Sequence, residues 1–330
     1  MQPLRRAGPH GRKFLLVLRR ENLTLRMKSR ASIQRLAALA IAAVLFVGIV
    51  AKASDDSAYR ASVEKWRQAY EAQLKSDSGW LTVSGLFWLH EGDNSFGSGP
   101  LNDIVLPSPA PASAGTFEFH AGHTIVHLKP GIVAILNGKR IDSGELHPDS
   151  NADQLVIGDL TMYVHSSGDR YTVRLRDKNS QLRKDFTGTR WFPVDESYRV
   201  VARYVPYDKP KPIEIQNVMG DTLRETIPGY ATFKLGGKDL RLDAEVDGGV
   251  ASFVFRDLTS GHETYAASRF LDTKIEPDGT VVLDFNEAYN PPCAYNPYTT
   301  CPLPPPQNRL PARIEAGEKI YHHAAGAVGH

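Results

Sequence analysis

Charged and amide side chains gather toward the C-terminus, where they could form a polar binding site. Three short runs with strand-like alternation place Arg256, Arg269 and Asp284 apart from their apolar neighbours. If these runs are neighbours in one sheet, the three side chains converge beneath the Pro-rich segment that follows. A recess with a few oriented polar groups binds small molecules, and the arginines favour a small polar or anionic ligand. The predicted ligand-binding residues are Arg256, Arg269, Asp284, Asn286, Asn290, Asn308, Arg309 and Glu318.

The same residues fit two other roles. Arg–carboxylate pairs and amides could pin an irregular segment to a sheet, because its backbone polar groups need partners. Alternatively, Asp284 or Glu318 could serve as the acid–base group of an enzyme, for example a hydrolase, beside Arg256 and Arg269. A carboxylate near arginines normally has a lowered pKa, which suits anion pairing better than proton donation. Binding is therefore favoured over catalysis.

Cys293 and Cys301 are the two cysteines of the chain. In an oxidising compartment a nearby pair most simply forms a disulfide. A metal site would need further ligands, and the spacing of seven residues is not typical of zinc. The sequence therefore predicts a Cys293–Cys301 disulfide.

Other chemistry has weaker support. His120, His123 and His127 would share one face of a hairpin, where they could hold a transition metal but more often form a solvated face. The sequence contains no Walker loop, Rossmann fingerprint, HExxH motif or EF-hand. We therefore predict no metal and no cofactor.

The elements that would position these groups are mainly strands. Residues 54–78 favour an amphipathic helix, since Val63, Trp66, Tyr70 and Leu74 repeat at helical spacing. Downstream, short β-type runs alternate with turn signals such as Asn137-Gly138. A two-residue turn at Ala121-Gly122 would place His120 opposite His123.

Residues 85–175 resemble the forkhead-associated (FHA) β-sandwich in the order and spacing of EGDNSFGS, NDIVLP, ILNGKRI and DQLVIGD. That family binds phosphothreonine through an Arg after the first Gly and through a Ser-x-x-His motif. Here Ser98 follows Gly97, and Thr116 stands where the His is expected. The resemblance therefore implies the scaffold without phosphopeptide binding.

The C-terminal stretch closely resembles a bacterial family known as domain of unknown function 1684. The motifs are DFNEAYNPPCAYNPYTTCPLPPPQNRLPARIEAGEK, WLTVSGLFWLHEGDNSFGS and FRDLTSGHETYAASRFL. The resemblance runs from about Trp66 to Lys319 and implies no particular activity.

Charge divides the chain into two unlike parts. Its 330 residues have a formal net charge of +2, but residues 1–53 hold eleven Lys/Arg and one acid. The remainder holds 28 basic and 36 acidic residues, so nucleic acid is not an expected partner. Ordinary globular composition excludes a chain that is disordered throughout.

The N-terminal segment carries a targeting signal. Residues 36–51 form an uncharged apolar run that follows Lys28, Arg30 and Arg35. Ala51-Lys52-Ala53 matches a small-x-small cleavage pattern, although sixteen residues are long for a signal-peptide core. The sequence predicts export to the periplasm, or alternatively an inner-membrane anchor at 36–51, and Met27 as a more conventional start.

These observations predict a mainly β protein in four parts. Residues 1–53 are a signal peptide or anchor, 54–78 a helix, 79–178 an FHA-like β-sandwich, and 179–330 an antiparallel β-meander or barrel-like region with a Pro-rich disulfide tail. The predicted function is a small-molecule binding or structural module of the cell envelope that contacts membrane only through its N-terminal segment. The alternative is an enzyme with an Asp/Glu acid–base group and an Arg-lined anionic pocket.

Overall fold

The computed structural model describes residues 56–148 and 152–323, and the chain divides into two compact units, 1–62 and 63–330. In the first unit the described residues are helical, and Ser62 Oγ donates to the Tyr59 carbonyl over 2.6 Å. The predicted signal peptide or anchor, including 36–51, lies outside the described residues. Across the described part of the chain, no helix combines the length and apolar character needed to cross a membrane.

The second unit opens with the rest of helix α1, which covers residues 56–75. Its apolar face buries Val63 and Leu74. A tight turn follows the helix, and a Cβ on Gly79 would lie 2.2 Å from the Leu74 carbonyl oxygen. Only glycine therefore allows the chain to turn this closely into the first strand.

A sandwich of two sheets follows the helix. One sheet has six strands in the order β1-β11-β10-β9-β6-β7, and the other has five in the order β3-β2-β4-β5-β8. All pairs are antiparallel except β2–β3. The strands are β1 Val83–Trp88, β2 Gly92–Gly97, β3 Ile104–Val105, β4 Gly115–His120, β5 His123–Leu128, β6 Ala134–Leu136, β7 Lys139–Ile141, β8 Ser143–Leu146, β9 Leu155–Ile157, β10 Leu160–Ser167 and β11 Arg170–Asp177.

The sandwich core arises from alternation along its strands. Phe96 and Phe117 of the five-stranded sheet pack in one cluster with Val164 and Val173 of the six-stranded sheet. The two predicted tight turns are confirmed. His120 pairs with His123 across Ala121-Gly122, and Asn137-Gly138 joins β6 to β7 with positive φ at both residues.

The remaining strands form one antiparallel, nearly closed barrel-like sheet in the order β16-β15-β14-β13-β12-β17. The two edge strands approach each other, and Thr273 Oγ1 of β16 donates to the Val282 carbonyl of β17 over 2.9 Å. Phe253, Leu283 and Phe285 lie in its core. The elements are α2 Gln181–Lys184, β12 Arg199–Gln216, β13 Thr222–Leu235, β14 Lys238–Asp247, β15 Val250–Phe255, β16 Arg269–Lys274 and β17 Thr280–Asp284.

The C-terminal segment after β17 has little regular structure and crosses the barrel. It contains short 3-10 turns at Phe285–Glu287, Pro292–Ala294 and Pro306–Asn308. Ile314 and Ala316 enter the barrel core, which fixes the segment to the sheet. The predicted fold class, mainly β with one N-terminal helix and antiparallel sheets, is confirmed.

Candidate functional site

The predicted polar residues fall into separate hydrogen-bond networks. Arg269 is 1% exposed at the start of β16, and its Nη1 donates to Asp257 Oδ2 over 2.6 Å and to the Ile314 carbonyl over 3.1 Å. Its Nη2 donates to the Ala316 carbonyl. Burial lowers the pKa of Arg269, and the Asp257 carboxylate opposes that change. Arg269 thus holds the C-terminal segment against the barrel.

Gly317 permits this close approach of the C-terminal segment. Its φ is +80°, and a Cβ there would lie 2.5 Å from the Ala288 carbonyl and 2.7 Å from Arg269 Nη2. Arg269 is the first residue of its strand, β16. The strand begins there because the residues before it turn around Asp257, whose Oδ1 accepts from Thr259 N over 2.6 Å.

Asp284 and Asn286 form a second network at the end of β17. Asp284 Oδ1 caps the following 3-10 turn by accepting from the Asn286 N–H over 3.1 Å. Asn286 is fully buried and exchanges two hydrogen bonds with the Asp195 backbone, 2.8 and 2.9 Å long. Arg67 of α1 donates to the Asn286 carbonyl over 3.1 Å. These contacts join the helix, the chain before β12 and the end of β17.

Asn308 forms a third network. Its Oδ1 accepts from the Asp243 N–H over 2.7 Å, and its Nδ2 donates to the carbonyls of Asp243 and Val254 over 2.9 Å each. Arg256 and Arg309 pair through their backbones as an isolated parallel bridge, and Arg309 is exposed. Asn308 therefore attaches the C-terminal segment to β14 and β15.

Asn290 and Glu318 form a fourth hydrogen-bond network, which extends toward a different part of the surface. The Asn290 N–H donates to Glu318 Oε2 over 2.8 Å, and Tyr295 donates its hydroxyl to Glu318 Oε1. The Tyr295 hydroxyl lies 3.2 Å from that of Tyr70, which donates to the Asn290 carbonyl over 3.1 Å. A chain of hydrogen bonds thus runs from a buried carboxyl to helix α1.

Burial determines the pKa values of the ionisable groups in this chain of hydrogen bonds. Glu318 is 1% exposed, and burial raises its pKa to about 7, against the hydrogen bonds from Tyr295 and Asn290. Burial and the Glu318 charge raise the pKa of Tyr70. Glu318 can therefore gain or lose a proton near neutral pH, whereas the tyrosines remain neutral donors.

A recess of about 420 Å³ lies beside this chain of hydrogen bonds. Asn290 forms part of its wall and is 1% exposed, and its side-chain Oδ1 has no hydrogen-bond partner. Four aromatic residues dominate the wall, and we call this site the aromatic recess. Its lining residues are Trp66, Ala69, Tyr70, Gln73, Leu74, Ser78, Gly79, Trp80, Asp272, Tyr289, Asn290 and Pro292.

The aromatic rings of the recess are held in fixed positions. Trp66 and Tyr70 lie one helical turn apart with parallel rings whose centroids are 5.6 Å apart, and Tyr289 lies 5.1 Å from Tyr70. Tyr289 pairs through its backbone with Phe270. Its hydroxyl donates to Asp272 Oδ2 over 2.6 Å. The wall therefore combines flat apolar surfaces with an oriented carboxylate.

Of the residues predicted from the sequence, Asn290 lines the recess and Glu318 hydrogen-bonds to Asn290, whereas the other eleven lining residues were not among the predicted ligand-binding residues. The helical spacing of Trp66 and Tyr70 predicts an apolar stripe rather than a ligand site. Asp272 and Tyr289 carry no local motif, and they approach α1 only through the fold. None of Arg256, Arg269 and Arg309 lines the aromatic recess, which removes the reason to expect an anionic ligand there.

Cys293 and Cys301 are buried free thiols in close contact. The Cys293 N–H donates to Cys301 Sγ over 3.3 Å. The hydrogen bond between the thiols, with burial, raises the pKa of Cys293, and the same hydrogen bond lowers the pKa of Cys301. The predicted disulfide remains a prediction.

The three hairpin histidines lie on the exposed face of β4 and β5. His120 contacts Glu91 at 3.0 Å, His123 contacts Glu145 at 3.1 Å, and His127 contacts Glu118 at 2.8 Å. In residues 56–148 and 152–323, no three His, Cys, Asp or Glu side chains are arranged to hold a metal ion.

The protein is mainly β and combines a sandwich, a barrel-like sheet and a polar C-terminal segment that contributes to the wall of the aromatic recess. Residues 184–319 match the family described as "Protein of unknown function (DUF1684)", and this part of the chain belongs to that family. The upstream part of the predicted resemblance, from Trp66, lies outside the match and remains a prediction.

The chain is similar in part to a protein of known structure. That structure is a solution NMR structure of an uncharacterized protein of Haloarcula marismortui, with 33% sequence identity. The similarity covers 42% of this chain and 78% of that protein, with a TM-score of 0.35. No curated protein matches the chain.

Proposed function

We propose that this protein is a small-molecule binding protein that holds its ligand in the aromatic recess. The observation that carries the proposal is Asn290, which lines the recess, is 1% exposed and leaves Oδ1 without a partner. Buried polar groups normally have hydrogen-bond partners, so an unpartnered one in a recess wall favours a ligand site. Most of the other predicted residues are engaged in structural networks.

A ligand panel with two matched variants tests this proposal. Ala69→Trp places a large ring in the recess, whereas Gln68→Trp introduces the same ring next to it on α1, in a different shallow depression. Thermal unfolding is followed with neutral, anionic and cationic small molecules. A compound that raises the melting temperature of the wild type and of Gln68→Trp, but not of Ala69→Trp, supports the proposal. A panel in which no compound shows that pattern contradicts it.

An acid–base enzyme is the second candidate. Glu318 favours it, since two tyrosine hydroxyls connect this buried carboxyl to the recess wall. General acid–base groups have pKa values near the working pH, and that of Glu318 is raised by burial to about 7. Chromogenic esters and glycosides provide the test: turnover lost in Glu318→Gln but kept in Glu276→Gln would favour the enzyme. Equal turnover in both variants would contradict it.

The sequence supports export as the location of this binding protein. The basic residues before the apolar run 36–51 and the Ala51-Lys52-Ala53 pattern suit a cleaved signal peptide. We expect a mature N-terminus at Ser54 in the periplasm, measured by sequencing the N-terminus of the exported protein. A full-length chain that resists carbonate extraction from membranes would instead support the inner-membrane anchor.

The sandwich fits the role of a scaffold in this proposal. We propose an FHA-like scaffold that does not read phosphothreonine, since Ser98 and Thr116 replace the Arg and His of the FHA motifs. Ser98 Oγ donates to the Ala110 carbonyl over 2.6 Å. Equal affinity for phosphorylated and unphosphorylated threonine peptides is the expected result. A clear preference for the phosphorylated peptide would contradict this part of the proposal.

A further inference from the structure

The charge of the aromatic recess restricts its ligand. Of its twelve lining residues, all within the described part of the chain, Asp272 is the one with a charged side chain. Two arginines lie near the aromatic wall without lining the recess. Arg174 is buried and donates to Thr300, and its guanidinium carbon lies 5.5 Å from the centroid of the Trp80 ring. The guanidinium carbon of Arg67 lies 4.8 Å from the centroid of the Trp191 ring. The lining of the recess therefore carries a single formal charge, which is negative.

The aromatic wall adds to this preference. The faces of Trp and Tyr rings carry partial negative charge and attract cations within about 6 Å. Trp66, Tyr70, Trp80 and Tyr289 all border the recess. The same rings provide flat apolar surface for the carbon skeleton of a ligand.

The available polar groups also favour a ligand that donates hydrogen bonds. Asp272 is an exposed acceptor held in place by the Tyr289 hydroxyl, and Asn290 Oδ1 is an acceptor buried in the wall without a partner. Behind the wall, the Glu318 charge is felt at Tyr70, since it contributes to the raised pKa of that residue. Asp272 therefore supplies the negative charge of the recess lining, and Glu318 adds to it when its carboxyl is ionised.

We infer that the ligand is an organic ammonium ion, with the ammonium group beside Asp272 and an apolar skeleton against the aromatic rings. This inference rests on the proposed function of the recess and names its ligand class. An alkyl or aryl ammonium ion satisfies the carboxylate, the ring faces and the apolar surface together. A carboxylate or phosphate ligand would face Asp272 without a compensating cation in the lining.

Three compounds with one skeleton test the inference. Benzylammonium, benzyl alcohol and benzoate have similar shapes and differ in charge, and methyl glucoside represents a neutral sugar. Binding is measured by calorimetry and by tryptophan fluorescence, to which Trp66 and Trp80 contribute, on the full exported chain at pH 7.5. We expect benzylammonium to bind at least roughly tenfold more tightly than benzyl alcohol, and benzoate not to bind.

Two variants, each of which replaces one carboxylate with an amide, test whether the preference for a cation comes from Asp272. Asp272→Asn should weaken benzylammonium binding roughly tenfold and leave benzyl alcohol unchanged. Glu276→Gln removes a carboxylate that follows the same strand, pairs with Lys274 at 3.5 Å and does not line the recess, so both affinities should stay the same.

The possible results separate this inference from the proposed function. If benzyl alcohol, benzoate or methyl glucoside binds as tightly as benzylammonium and Ala69→Trp abolishes the binding, the recess is a ligand site but the ammonium assignment is wrong. An Asp272→Asn variant with wild-type affinity for benzylammonium also overturns the assignment. If no compound, in these probes or in the wider panel, loses binding in Ala69→Trp, both proposals fail.

Discussion

Arg269 Nη1 and Asp257 Oδ2 form a 2.6 Å ion pair in which the side chains are 1% and 0% exposed. The other hydrogen bonds of Arg269 go to main-chain carbonyls of the C-terminal segment, at Ile314 and Ala316. A buried charge pair of this kind requires both partners, because removal of one leaves the other charged without compensation. Asp257 therefore compensates the charge of Arg269, and Arg269 fixes the segment to the barrel through the two carbonyls.

Arg269→Ala should consequently destabilise the protein. We expect a loss of about 3–5 kcal/mol in the free energy of unfolding, as for other broken buried ion pairs. Urea denaturation measures it, with Arg309→Ala as the control, since that exposed arginine should change stability by less than about 0.5 kcal/mol. Equal stability of the two variants would show that Arg269 is not part of a structural network.

Asn308 provides a second test of the structural networks. Asn308→Ala removes three hydrogen bonds and leaves the Asp243 N–H and the carbonyls of Asp243 and Val254 buried without partners. The expected loss is about 2–4 kcal/mol, since each unsatisfied buried group costs about 1–3 kcal/mol before relaxation. Urea denaturation beside Arg309→Ala gives the comparison, and a loss below about 1 kcal/mol would contradict this role.

Local patterns in the sequence predicted the elements of the fold. The Asn137-Gly138 turn could be predicted because positive φ at both central residues favours Asn and Gly, and in the Ala121-Gly122 turn Gly122 gives the same signal. The mainly β class and the helix likewise follow from hydrophobic periodicity. These features depend on neighbouring residues, so one sequence is sufficient to predict them.

The site could be predicted only in part. Glu318 and Asn290 stood out because carboxylates and amides in an irregular segment need partners. Tyr70, however, meets Asn290 across 220 positions, and no local pattern encodes such a contact. Arg256, Arg269 and Asp284 were expected to converge because alternation describes a face within one strand. The partners of each side chain depend instead on sheet order and on the path of the C-terminal segment.

Cys293 and Cys301 are close enough in the structure to make oxidation a direct test. We expect protein isolated from an oxidising compartment to show no free thiol when it is denatured without reductant and treated with a thiol reagent. The denaturant is needed because both residues are buried. Reduction should release two thiols and lower the free energy of unfolding by about 2–3 kcal/mol. Two reactive thiols before reduction would rule out the disulfide.

Ionisation of Glu318 makes the free energy of unfolding depend on pH, and the burial of this carboxyl determines the sign of that dependence. Its pKa is about 7 in the folded protein and about 4.5 in the unfolded chain. Below pH 4.5 both states hold the proton, and between 4.5 and 7 only the folded state does. The unfolded state therefore binds fewer protons in that range, and stability falls as pH rises. Burial also raises the pKa of the partly exposed Glu287 to about 7, so its contribution has the same sign.

Glu318→Gln isolates this contribution, because Glu287 is present in both proteins and cancels in their difference. Gln cannot ionise, yet its oxygen can accept from the Asn290 N–H while its nitrogen faces Tyr295. We expect the stability of Glu318→Gln relative to the wild type to improve by about 3 kcal/mol from pH 4.5 to pH 7.5. Urea denaturation at several pH values measures the difference. A difference that stays constant over this range would mean that Glu318 titrates alike in the folded and unfolded states, so that burial does not raise its pKa.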